Sequence, residues 1–330
     1  CGDGIDLPGV NVETDLNKIP LPDNNVNLEQ VELKPSTEPM LHEGLHTEED
    51  FQRIRDKKAA GEEPWVSAYQ LLVESQFSQK TADTYPTEWI KRGISGDENY
   101  MNAARGATIV YQQALRWKIE QDDEYAAKAV ENLNKWVQTC VGVTGNTNLS
   151  LAAGLYGYEF AIAGELLRDY GGWDRADFAA FQNWLLKVFY PANDDFLKRH
   201  HDTNALHYWA NWCLCNIAAK MAIGIVTDRR DIYNEGIDHL QTGDTNGRLR
   251  RAIYHDYAPD YNFAQWQESG RDQGHTLMCV GLMGIICQLA WSQGDDFFAY
   301  DDNLFMRACE YAACCNYTNE TVPYLSLIHI

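Results

Sequence analysis

DEYAAKAVENLNKWVQTCVGVTGNTNLSLAAGLYGYEFAIAG (residues 123–164) joins two helical segments of opposite character. In DEYAAKAVENLNKW (123–136) the apolar residues recur at helical spacing and the charges fall on the other side, the pattern of a half-exposed helix. LAAGLYGYEFAIAG (151–164) is small and apolar almost all round, the pattern of a helix covered on every side. The same alternation continues along the chain. LMCVGLMGIICQLA (277–290) belongs to the second type, and further helical text lies around residues 99–120, 175–190, 203–226, 229–242 and 303–315. No alternating stretch is long enough to read as a strand. Alternating covered and half-exposed helices fit paired inner and outer rings, so the expected fold class is all-α: an (α/α) toroid or incomplete barrel of helical hairpins. An irregular bundle is the competing reading. Thr47 with Glu49 and Asp50 marks a helix start, and Pro64 marks the next.

The 330 residues carry a net charge of −21, which argues against nucleic acid as a partner, because phosphate binding needs a basic face. Two basic islands interrupt the acidity, LKRHH (197–201) and RLRR (248–251), and together they predict a local positive field. Nine cysteines, eight of them in apolar helical text with no metal-ligand spacing, read as buried free thiols; no metal or cofactor is expected. The ninth is Cys1. A chain opening on Cys and continuing through polar, Pro- and Gly-bearing sequence reads as a lipoprotein after signal-peptide removal. Residues 1–40 are then a flexible tether, the only membrane link is a lipid on Cys1, and the location is the periplasm or cell surface, on the outer membrane. Residues 41–324 form the toroid. The closing LSLIHI (325–330) back-translates to a transposon end used in sequencing libraries, and is expected to be a non-native tail at which the C-terminus is cut short.

Two polar stripes stand out. In QWQESGRDQGHT (265–276), Glu268, Arg271 and His275 fall at i, i+3 and i+7, and in TNALHYWANW (203–212) Asn204, His207 and Asn211 do the same. A single buried His or Asn is ordinary core chemistry. Two apolar helices repeating the stripe, each near a basic island, imply a wet cavity, since burying so many polar groups dry is costly. No metalloprotease, nucleophile-elbow or phosphate-loop motif is present. Arg, Asn and His donors suit a uronate carboxylate as it becomes an enolate-like dianion during β-elimination. A base then takes the C5 proton and an acid, typically Tyr, protonates the departing O4. AIYHDYAPDY (252–261) offers Tyr254, Tyr257 and Tyr261. Arg248, Tyr257, Gln267, Glu268 and Asn211 are candidates to hold substrate, Glu268 also orienting Arg271.

HEGLHTEEDFQRIR (42–55), ALRWKI (114–119), LAAGLYGYEFAIAGELLRDYGGW (151–173), GIVTDRRDIYNEGI (224–237), QWQESGRDQGHT (265–276), AWSQGDD (290–296) and EYAACCNYTNETVPY (310–324) resemble the alginate lyase family of polysaccharide lyases, especially lipoprotein members from Bacteroides-type bacteria. The resemblance implies an (α/α) toroid and metal-independent β-elimination of alginate or a related polyuronate. In such lyases an Asn and a His on one helix act with a later Arg and Tyr. Here TNALHYWANW supplies Asn204 and His207, or Asn211 in a shifted register, and the adjacent Asn-His pair is absent. ESGRDQGH (268–275) supplies Arg271 and His275, which with Asn204 or Asn211 are expected around the carboxylate; His207 or a Tyr is the expected base and Tyr254 the acid. Two other readings stay open: a hydrolase with paired carboxylates on the same kind of toroid, and a surface glycan-binding lipoprotein without catalysis.

Overall fold

The computed structural model describes residues 30–317 and 322–325. Cys1, the tether up to residue 29 and the tail from residue 326 lie outside the described residues. Twelve helices carry the described fold: α1 (Glu48–Ala59), α2 (Trp65–Glu74), α3 (Tyr100–Glu120), α4 (Asp123–Thr139), α5 (Leu149–Leu167), α6 (Arg175–Val188), α7 (Tyr190–Arg199), α8 (Ala210–Val226), α9 (Arg230–Gln241), α10 (Leu249–Ala252), α11 (Gln273–Ser292) and α12 (Tyr300–Tyr317). Two short pairings that the sequence reading did not anticipate join segments between them. β1 (Trp89–Arg92) runs parallel to β2 (Gly142–Gly145), and β3 (Ile253–Asp256) runs antiparallel to β4 (Ala264–Trp266). Strands of three or four residues are too short to show alternation.

The contrast between residues 123–136 and 151–164 is the contrast between rings. On α4, Tyr125, Ala126, Ala129, Leu133 and Trp136 are buried along one face, while Lys128 and Lys135 on the other reach Asp83. On α5 and α8 almost every side chain is buried. Small residues let these inner helices touch. A Cβ on Gly154 would come within 2.5 Å of Cys215 Sγ, and one on Gly224 within 2.6 Å of the Tyr233 backbone nitrogen, so α5–α8 and α8–α9 pack almost backbone to backbone. Helices α3, α5, α8 and α11 form an arc of inner helices, with α4, α6, α9 and α12 returning outside.

The inner helices all run one way. The parallel β1–β2 pair immediately precedes α3 and α5, which puts those two N-termini side by side. Gly154 faces Cys215 and Gly157 faces Ala219, so α5 and α8 are parallel. Asn211 at the start of α8 meets Met278 near the start of α11. Four helix N-termini therefore open on one mouth, each carrying the positive end of its dipole.

Residues 30–40, expected in the tether, are part of the folded body. Met40 is buried, Lys34 pairs with Asp295 at 3.3 Å, and Arg230 and Asn234 donate to the carbonyls of Pro39 and Lys34. An extended segment held by its own backbone groups leaves no periodic signature in sequence, which is why the boundary was set late. Leu325, expected in the foreign tail, exchanges two backbone hydrogen bonds with the Gln265 side chain. Thr47 and Asp50 form a reciprocal capping box as the sequence implied. Among the described residues no disulfide forms; Cys140, Cys213, Cys215, Cys279 and Cys287 are buried, and Cys309, Cys314 and Cys315 are half-buried.

Candidate active site

The wall of the mouth at α11 is built by the chain leaving β4. Gln267–Gly270 form a 3-10 turn, Asp272 caps α11, and the helix begins at Gln273. Glu268, Arg271 and His275 are thus not one helical stripe, because the Asp272 cap restarts the helix between them. They still converge. Helix α8 has no side-chain cap of its own at Trp209, and Gln267 and Glu268 supply one from outside. Gln267 Oε1 accepts from the Ala210 N–H at 2.8 Å, and Glu268 Oε1 from the Asn211 N–H at 3.3 Å. Both side chains are fully buried, which removes the direct substrate contact expected of them. Burial pushes the Glu268 carboxyl up. Asn211 is also buried, its amide nitrogen 3.8 Å from Met278 Sδ and its Oδ1 unpartnered.

Arg271 and His275 stand in front of this buried layer. The Arg271 guanidinium lies over the Trp209 ring at 5.5 Å, with Nη1 3.6 Å from Glu268 Oε2 and Nε 3.8 Å from Asp272 Oδ2. A ring beneath and a carboxylate behind fix the cation and leave its other edge open. Asp272 holds His275 twice: Oδ1 accepts the backbone N–H at 2.8 Å, and Oδ2 lies 2.6 Å from Nδ1. The His275 N–H and ring, with Arg271 beside them, hold the Asp272 carboxyl below its ordinary value. The His275 side chain keeps about a third of its surface exposed, so Nε2 faces outward.

The second expected stripe does not form. Residues 203–209 are not helical, and α8 starts only at Ala210. His200, His201 and Asp202 turn the chain through positive φ (48°, 53° and 60°), and the Asn204 side chain then accepts from the Leu206 N–H at 2.8 Å, closing a turn that competes with helix. Asn204 and His207 are exposed in this loop, the His207 ring edge-on to Tyr208 at 5.0 Å. Nor do the basic islands make a free field. Lys198 pairs with Asp194, Arg199 with Asp195 and Asp202, and Arg250 with Asp256 and Asp301. Arg248 precedes α10, beside Arg251.

The tyrosines divide. Tyr257 donates to Gln265 Oε1 at 2.5 Å and stacks on Tyr311, so its hydroxyl is committed, and burial pushes it up. Tyr254, on β3, is half-buried and its hydroxyl makes no hydrogen bond among the described residues; burial raises it as well. Tyr261 is exposed. The structure therefore joins Asn211, Gln267, Glu268, Arg271 and His275 in one cluster. It leaves Asn204 and His207 in the loop before α8, and Tyr254 and Tyr257 on the hairpin that feeds the cluster.

The sequence matches the alginate lyase family over residues 55–320. The chain belongs to the alginate lyase family. It is a polysaccharide lyase, and an acidic polysaccharide is its substrate class. Among solved structures it is similar to alginate lyase A1-III, in a histidine-to-alanine variant complexed with a tetrasaccharide, at 14% identity and a TM-score of 0.65, covering 85% of this chain and 82% of that one. Alginate lyase A1-III from a Sphingomonas species gives 13% identity, a TM-score of 0.58 and coverage of 84% and 80%. An alginate lyase from Bacteroides ovatus gives 14%, 0.57, and 82% of each chain. At such identities the likeness speaks for the (α/α) toroid fold. No curated protein matches the sequence.

Four residues of this lyase's mouth were not singled out from sequence. Asp272 caps α11 and holds His275, and an Asp three residues before a His is itself a signal for a capped, ring-paired histidine. Trp209 supports Arg271. Asn246 donates to the Leu206 and Tyr208 carbonyls and so anchors the loop before α8. Arg92, at the end of β1, lies over the Tyr100 ring at 4.7 Å with a buried, unpartnered Nη1. Nothing in WIKR marks it; only the β1–β2 pairing brings it to the mouth.

Proposed function

We propose that this lyase cleaves alginate or a related polyuronate by β-elimination, with the Arg271–His275 cluster at the reacting sugar. The observation that carries the reading is the His275–Asp272 pair at 2.6 Å, next in sequence to a cation fixed on Trp209. Arg271 neutralises the uronate carboxylate, which lowers the cost of charge building at C5. His275 Nε2 takes the C5 proton, while Asp272 on Nδ1 orients the ring and balances the charge it acquires. The C5–H electrons form the C4–C5 double bond as the C4–O4 bond breaks, and Tyr254 gives O4 its proton. Arg92 and the four helix N-termini supply further positive potential for neighbouring carboxylates.

Initial rates of ultraviolet-absorbing unsaturated product, measured on polymannuronate, polyguluronate and glucuronan, test the reaction and select the polymer. His275→Ala is expected to abolish product formation with the thermal transition unchanged. Near-parental activity in that variant overturns the site, and saturated products on every polymer overturn the lyase reading in favour of hydrolysis.

A further inference from the structure

Behind the mouth, α3, α5 and α11 border a half-open cavity of about 260 Å³. Ala107, Thr108 and Tyr111 border it from α3, Tyr158 and Glu159 from α5, and Ile285 from α11. Glu159 is ten residues into α5, Tyr111 eleven into α3 and Ile285 twelve into α11, which sets the cavity about 15–18 Å down the helices from their N-termini. It is a separate chamber, deeper than Arg271 and His275. Leu45 borders it as well, and the adjoining His46 Nε2 is 2.6 Å from the Tyr111 hydroxyl. Tyr156 stacks on Tyr100, over which Arg92 lies, and stands one turn of α5 before Glu159, so the two spaces adjoin along α5.

The lining has a distinct chemistry. The Glu159 carboxyl is hydrogen-bonded by the neighbouring Tyr158 hydroxyl, and its buried Oε2 has no further partner among the described residues. A buried acid with one partner keeps hydrogen-bonding capacity to spare. Burial pushes it up to about 8, so at neutral pH it stands as a hydrogen-bond donor as well as an acceptor. The Thr108 hydroxyl donates to the Ala104 carbonyl and keeps its lone pairs for an incoming donor. Leu45 and Ile285 give an apolar surface. None of the residues bordering the chamber is basic. An apolar face with a rim of hydroxyl and carboxyl groups matches a pyranose ring, and the lack of a cation leaves a buried sugar carboxylate without a partner.

We propose that this chamber is a subsite for an uncharged sugar unit, so that the polysaccharide accepted at the mouth carries neutral sugars beside its uronates. The inference rests on the polyuronate lyase reading for its place in the reaction, and its first test does not need turnover. Binding of methyl glucoside, methyl mannoside and methyl galactoside to the intact protein is followed by titration calorimetry. Saturable millimolar binding of at least one is expected, weakened about tenfold or more by Ala107→Phe, which fills the chamber. Glu159→Leu serves as the second variant should Ala107→Phe fail to fold. It removes the buried acid and should weaken binding to the same degree. No saturable binding of any glycoside, or equal binding by the variants, overturns the proposal. In the second test, oligosaccharides alternating glucuronate with glucose are compared with pure glucuronate oligosaccharides of equal length. A several-fold advantage in kcat/KM for the mixed chain, lost in Glu159→Leu while turnover of the pure chain persists, supports it. An equal advantage in both proteins overturns it. Absence of turnover on every uronate chain defeats the lyase reading, and the calorimetry then decides the chamber alone.

Discussion

Replacing Asp272 by Asn separates the two jobs this residue performs. The cap survives, since Asn is as good an N-cap as Asp, and the cost to the fold is the loss of one carboxylate at a helix N-terminus, about 0.3–1 kcal/mol. The partner of the His275 ring changes from a charge to a dipole. Two unit charges about 4 Å apart interact by about 1 kcal/mol in water and about 4 kcal/mol at an effective dielectric near 20. The Asp272 side chain is 46% exposed and shared with Arg271 at 3.8 Å, so the lower part of that range applies, about 1–2 kcal/mol. If His275 gains a proton in the transition state, kcat falls about 5- to 30-fold while KM moves little. Initial rates of unsaturated product and a denaturation curve on the same preparation provide both readouts. An unchanged kcat refutes His275 as the base, whatever the stability does.

Arg271→Ala is expected to lower kcat about 10²- to 10³-fold, the usual loss for one donor aimed at developing charge. Arg271→Lys should recover only part of it, because an ammonium cannot lie flat on Trp209; full rescue in product assays would show that charge alone suffices. Tyr254→Phe is expected to cost about 10²-fold or more in kcat, as loss of a general acid does. Tyr257→Phe should leave kcat within a few-fold and cost about 1 kcal/mol by chemical denaturation, because its hydroxyl serves Gln265; the reverse ranking would exchange their roles. Lys220 is fully buried and held by Asp194 at 2.7 Å and Glu235 at 2.6 Å. Asp194→Ala should therefore destabilise the fold by about 1.5–3 kcal/mol in urea titrations with kcat preserved. With a net charge of −21 facing a polyanion, kcat/KM should rise as salt shortens the Debye length from about 30 Å at 0.01 M to about 10 Å at 0.1 M. A monotonic fall would show that the cations of the mouth, not the whole molecule, govern encounter.

What was legible in the sequence, and what was not, follows from range. The ring architecture could be read because covered and half-exposed helices differ in periodicity over ten or more residues, as α4 and α5 do. The Glu268–Arg271–His275 cluster could be read because its members are close in sequence, and their contacts survive even though Asp272 restarts the helix. TNALHYWANW misled for a local reason. Its apolar spacing continues that of α8, but the Asn204 side chain bonds to its own backbone and the preceding left-handed turn sets a different direction. Periodicity counts side chains and is blind to such a turn. Gln267 and Glu268 misled for a long-range reason: polar residues beside a candidate arginine suggest substrate contact, yet here they cap a helix that begins 57 residues earlier. Helix α8 starts at Trp209–Ala210 with no side-chain cap of its own, a start hidden while the helical text is taken from residue 203. An apolar helix lacking its own cap requires donors to be satisfied from elsewhere. The buried polar pair that satisfies them, Gln267 and Glu268, is also what binds α11 to α8 and holds Arg271 at the mouth.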